Sequence, residues 1–235
     1  MLTDNKLPIY AASETVHLDL LERLFMVDPY KGFDHSAYQM DLQGWNGRHP
    51  VFEKVISQVQ PSLIIEVGTW KGQSALSMAD IVKKLGLQCK ILCIDTWLGS
   101  VEHWNPKRSD RIYDSLSIKN GYPHLFYQFL ANVMHCGQSD IIVPFPQTST
   151  NAAKWLRNAG IKADIIHIDA SHEYDDVVAD LKAWAPIIME YGVLIGDDYP
   201  WEGVQRAAHE FSTERNLEVY VDNPKWIVSK QAMKF

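Results

Sequence analysis

The sequence predicts an α/β fold, a doubly wound, mostly parallel sheet with an antiparallel C-terminal strand. Three observations predict it. Short runs rich in Ile, Val and Leu recur from Leu63 onward, these runs are apolar on both faces, and longer amphipathic stretches separate them. A strand that is apolar on both faces must be covered on both, which helices crossing above and below a parallel sheet provide.

In order, SLIIEV (62–67) reads as the first core strand, a helix follows over about 72–85, and CKILCID (89–95) is the second strand. DIIVPF (140–145), a helix near 150–158, ADIIHID (163–169), a helix over about 174–190 and GVLIGDD (192–198) continue the alternation. The Tyr199-Pro200 step turns the backbone away from helix before another begins near Trp201 and runs to about Arg215. LEVYV (217–221) and KWIVS (225–229), joined by Asp222-Asn223-Pro224, read as an antiparallel hairpin. Residues 1–60 are expected to form an N-terminal helical extension and 61–235 the main domain. Within that domain 96–136, rich in Trp, Tyr, Phe and His, reads either as a partly buried cover over a site or as an extra packed helix without ligand contact.

With 46% hydrophobic and 22% charged residues, the 235-residue chain has the composition of a globular domain rather than a disordered or fibrous one. Its 22 Lys+Arg against 29 Asp+Glu leave a net charge of -7, which repels a phosphate backbone, so no nucleic-acid partner is expected. The polar start MLTDNKLPIY and the lack of any apolar run of membrane-spanning length predict a cytoplasmic chain with no membrane partner. Cys89, Cys93 and Cys136 have no metal-ligand spacing, and Cys89 and Cys93 read as packed strand or strand-edge thiols. The sequence is compatible with a homo-oligomer.

Chemistry concentrates at two places. The first is EVGTWKGQS (66–74), which joins the first strand to its helix where doubly wound sheets bind nucleotides. Its GxxxG spacing differs from GxGxxG, and no GK[ST] follows, which argues against dinucleotide and phosphate loops. Glu66 and Asp95 are acids at successive strand ends, and the second is placed to accept both hydroxyls of a ribose. The second place is Asp169 at one strand end and Asp197-Asp198 at the next. Three like charges gathered there need a proton or a cation, and an all-oxygen set selects a hard ion such as Mg²⁺, Ca²⁺ or Mn²⁺. His172, three residues past Asp169, is placed to take a proton.

EVGTWKGQS followed by CIDTW resembles the first two motifs of class I S-adenosylmethionine-dependent methyltransferases, which share a Rossmann-like sheet. The resemblance implies that Glu66, Gly68, Gly72 and Ser74, with Thr69 in the same loop, contact the methionine part, and that Asp95, followed by Thr96, holds the ribose. Trp97 either stacks on the adenine or packs internally. Thr148 and Ser149 either reach the adenine or cap a helix. Trp70 replaces a glycine common in the family, although the subset resembling catechol O-methyltransferase uses ExGxxxGxS.

Asp169 with Asp197-Asp198 and His172 resembles the Mg²⁺-dependent small-molecule O-methyltransferases, particularly macrocin-type enzymes acting on sugar hydroxyls. That implies a divalent metal on Asp169, Asp197 and Asp198, a general base at His172, and Asp169 shared between the metal, the cofactor and the chemistry. The acceptor would be a small-molecule hydroxyl, on a sugar or natural product, with His103, Trp104, Tyr122, His124, Tyr127 and Trp201 as pocket candidates. Two alternatives stand beside this reading: an NAD-dependent oxidoreductase, and a non-catalytic cofactor-binding protein.

Overall fold

A computed structural model describes residue 20 and residues 23–25, 28–230 and 233. β1 (Leu63–Val67) is an interior strand of a seven-stranded sheet, parallel to β2 (Lys90–Asp95) on one side and β4 (Ala163–Ile168) on the other. β3 (Ile142–Pro146) extends the first side, while β5 (Ile188–Gly196) extends the second in parallel. β7 (Lys225–Ser229) then pairs antiparallel with β5 and carries β6 (Val219–Asp222) at the edge, the expected hairpin.

Alternation along β1 divides the core. Ile64 faces α1 (Val51–Val59), α2 (Gln73–Lys84) and α3 (Leu125–His135), whereas Leu63, Ile65 and Val67 face α4 (Ser149–Asn158), α5 (Tyr174–Trp184) and α6 (Glu202–Thr213). Because the chain leaves β1 toward β2 and returns beyond it to β4, the carboxyl ends of β1 and β4 part at a topological switch point. A crevice opens there.

Three sequence boundaries need correction. The helix expected over 174–190 stops at Trp184, and Ile188 already pairs with Ala163 in the sheet. Pro186 explains the early stop, since a proline disfavours helical backbone in the residue before it. The cover over 96–136 is of two kinds: short 3-10 turns at Val101–Trp104 and Ile112–Leu116, then α3, whose Phe129, Leu130 and Val133 are core residues. Of the expected extension over 1–60, α1 is an integral layer of the fold, while residues 1–19, 21, 22, 26 and 27 lie outside the described part. Among the described residues no helix is long and apolar enough to cross a membrane.

Candidate active site

The loop from β1 to α2 is shaped by two glycines with left-handed backbone. Gly68 (φ +85°) lies so close to β4 that an added Cβ would meet the Asp169 carbonyl oxygen at 2.1 Å. Gly72 (φ +89°) caps α2 against Phe129. Asp95 fastens this loop: its Oδ2 accepts the Thr69 and Trp70 N–H groups at 2.9 and 2.8 Å, and its Oδ1 accepts the Trp97 N–H at 2.7 Å. Asp95 still borders the cleft, so it first organises the loop and then faces any ligand there. Thr69 is buried beside the cleft, with its side chain next to the Glu66 carboxyl beneath the loop. Ser74 and the exposed Thr96 also line it.

Two expected cofactor contacts lie elsewhere. Trp97 is a core residue, 2% exposed, packed on Phe126 and Phe129 with its indole N–H bonded to the Trp70 carbonyl. Its left-handed backbone (φ +52°) turns the ring under the loop. Glu66 is wholly buried and does not border the cleft. Strand register explains this, because Cys93, Glu66 and His167 stand opposite one another across β2, β1 and β4 and share one face. His167 Nδ1 lies 3.1 Å from Glu66 Oε1, and Cys93 Sγ lies 3.9 Å from Oε2.

Burial pushes the Glu66 carboxyl up to about 7, against the lowering effects of Ser74 and the Lys225 charge. A raised acid gives stability that is complete below its unfolded value of 4.5 and is lost as pH rises through 7. His167 acts in the opposite sense, since burial and Lys225 hold it well below 6.5. The difference between wild type and Glu66→Gln isolates the first effect. The variant is expected to gain about 3 kcal/mol relative to wild type as pH rises from about 4.5 to 8, read from urea denaturation. A pH-independent difference would show that Glu66 titrates normally.

The three aspartates reach the same sheet edge but divide there. Asp197 turns inward, 5% exposed, with Oδ1 accepting the Asp198 N–H at 2.8 Å and Oδ2 bound by the Lys225 ammonium at 2.6 Å. Asp169 Oδ2 lies 3.8 Å from the same ammonium. Burial pushes the Asp169 carboxyl well above the ordinary range; Lys225 draws it back, while Asp197 and Asp198 raise it further. Asp198, on left-handed backbone (φ +58°), turns outward to His172 Nδ1 at 3.4 Å.

The expected three-aspartate metal site is therefore corrected. Both Asp197 oxygens already accept donors, and the charge among the acids is the lysine that begins β7. Among the described residues no three His, Cys, Asp or Glu side chains are grouped to hold a metal ion. The residues present do not fit a divalent ion on all three aspartates.

The crevice widens into a cleft of about 1060 Å³. His172 lines it, stacked on Trp201 with ring centroids 4.6 Å apart, and its Nε2 lies 3.9 Å from Glu102 Oε1 of the cover. His103 and Trp201 of the acceptor candidates border the cleft; Trp104, Tyr122, His124 and Tyr127 do not. His103 stacks on Trp70 at 4.5 Å and tilts toward Trp45 at 6.3 Å, laying the cover on the glycine loop. Thr148 caps α4 through the Asn151 N–H, as one of its two sequence readings held. The Ser149 hydroxyl donates to Asp180 and accepts from the Trp184 indole, although both Thr148 and Ser149 line the cleft. Asp180, missed by the sequence reading, is pushed up to about 6 by burial against the Ser149 bond.

Residues 65–199, more than half of the chain, match a family model described as a methyltransferase domain. Over 51 residues, 22% of this chain, the sequence is 39% identical to a rhamnosyl O-methyltransferase of Mycobacterium bovis. The chain spans less than a fifth of the length of the curated relatives it matches, 15% and 19% of two of them. The fold resembles the calicheamicin methyltransferase CalS11 (TM-score 0.56, 15% identity, 77% of this chain and 78% of that one). It also resembles an O-methyltransferase from Bacillus cereus solved with S-adenosylhomocysteine (TM-score 0.51, 15% identity, 83% and 87%). With the glycine loop, the switch-point crevice and the sheet order in place, this chain belongs to the methyltransferase-domain family and has the class I fold.

Proposed function

We propose that this chain transfers the methyl group of S-adenosylmethionine to a hydroxyl of a small molecule, a sugar or a natural product bearing one. The observation that carries this reading is His172, held by Asp198 and Trp201, on the same cleft as the glycine loop. Bound S-adenosylmethionine supplies an electrophilic methyl carbon on a sulfonium. The chain's residues supply the rest. Gly68, Gly72, Thr69 and Asp95 form the cradle, whose left-handed glycines let a ligand lie close to the backbone.

His172 Nε2 accepts the acceptor's proton as the oxygen attacks. Asp198 accepts a hydrogen bond from Nδ1–H and stabilises the imidazolium that forms. Glu102, Arg108 and Asp110 of the cover line the cleft and give it polar groups for hydroxyls, and Trp201 gives an aromatic face. The relative named as a rhamnosyl O-methyltransferase supports a sugar acceptor. No step here runs through a metal.

Calorimetric titration tests the cofactor. S-adenosylmethionine is expected to bind wild type and to bind Asp95→Ala about tenfold or more weakly, because three loop N–H groups lose their acceptor. NAD is expected to give no heat. Binding of NAD in place of S-adenosylmethionine would reject the reading.

A further inference from the structure

The acid cluster carries its own cation. Lys225 is wholly buried, with Asp197 Oδ2 at 2.6 Å, His167 Nε2 at 3.1 Å, Asp169 Oδ2 at 3.8 Å and the Phe52 ring centroid at 5.2 Å. Burying an ammonium alone is prohibitively unfavourable, so these partners account for its presence. An ammonium only donates, so His167 accepts at Nε2 and carries its hydrogen on Nδ1, where it donates to Glu66. A continuous hydrogen-bonded line thus runs from the acid behind the glycine loop to the acids of the reacting end: Glu66, His167, Lys225, Asp197.

Strand pairing puts the lysine there. β7 runs antiparallel to β5 and Gly196 is opposite Trp226, so Lys225 falls level with Asp197. The Trp226 ring occupies the space above Gly196, where an added Cβ would meet it at 2.0 Å, and its indole N–H donates to the Asp197 carbonyl at 3.1 Å. Both contacts fix the register.

A divalent ion needs carboxylate oxygens at about 2.0–2.6 Å. Asp197 offers none free of a donor, and an ion between Asp197 and Asp169 would have the ammonium as its near neighbour. We infer that Lys225 is the resident cation of this cluster, a positioning residue that stands in place of a divalent metal and makes the methyl transfer metal-independent. The last clause rests on the methyl-transfer reading; the identity of the cation does not.

Mn²⁺ titration followed by electron paramagnetic resonance, with and without S-adenosylhomocysteine, tests it. Wild type is expected to bind no Mn²⁺ up to about 1 mM. Lys225→Met, which frees Asp197 and Asp169, is expected to bind it at least about tenfold more tightly, and Lys225→Arg to behave as wild type. Wild-type binding below about 100 µM that Asp198→Asn removes would overturn the inference, as would a folded Lys225→Met protein with no gain in Mn²⁺ affinity. If Lys225→Met does not fold, the wild-type titration decides alone. S-adenosylmethionine binding, measured separately, judges the methyl-transfer reading: without it that reading fails, whatever the Mn²⁺ result.

Discussion

Replacing Gly68 with alanine is expected to abolish S-adenosylmethionine binding and to destabilise the fold by about 3 kcal/mol or more. Two effects add. The backbone has φ +85°, which an L side chain adopts at a cost, and the new methyl would lie 2.1 Å from the Asp169 carbonyl oxygen and 2.6 Å from its carbon. Neither neighbour can yield easily, because the Asp169 N–H is bonded to Val67 at 2.8 Å and β1 and β4 are paired up to that point. Gly86 supplies the control. It has φ +66° with nothing within 4 Å of an added Cβ, so alanine there should cost only the backbone term of about 1 kcal/mol and leave binding intact. Denaturant melts and calorimetry on both variants read the difference. Equal stabilities would show that contact with β4 is not what fixes the loop.

Under the proposed methyl transfer, removing the imidazole of His172 is expected to lower kcat by ~10²- to 10⁴-fold, with S-adenosylmethionine affinity unchanged. The selectivity follows from placement. His172 lies on the strand-to-helix loop after β4, against Asp198 and Trp201, and its contacts among the described residues are with these and Glu102 rather than with the glycine loop. Single-turnover release of S-adenosylhomocysteine measures the chemical step directly. A His172→Ala enzyme retaining a third or more of wild-type kcat would assign the proton to another group.

The sheet was legible because its strands are apolar on both faces, a pattern that survives without knowledge of neighbours. The tail of α5 was not, because Met189, Glu190 and Tyr191 are exposed and continue a helical alternation into what is the start of β5. Pro186 was the available warning. At the site, the convergence of Asp169, Asp197 and Asp198 was readable from parallel adjacency, but the direction each would face was not. Asp198 stands on left-handed backbone and pairs with His172, neither of which the sequence displays.

Glu66 was misplaced for a related reason. A loop motif suggests contact with the ligand, whereas strand alternation aims this side chain into the layer under α1, toward Phe52 and His167. Lys225 went unnoticed because a charge at the start of a hairpin strand ordinarily reads as solvated. Only the antiparallel pairing brings that start level with Asp197, just past the end of β5 and 28 positions earlier in the chain.

The seating of Trp226 over Gly196 bears on the fidelity with which the two strands pair. All three aspartates and the glycine loop precede residue 225 in the chain, so the ammonium among the acids is in place only when β7 pairs with β5. A slip of one residue in that pairing would flip the lysine to the opposite side of the sheet. The indole opposes that slip, because a shifted tryptophan would give up both the space above Gly196 and the Asp197 carbonyl.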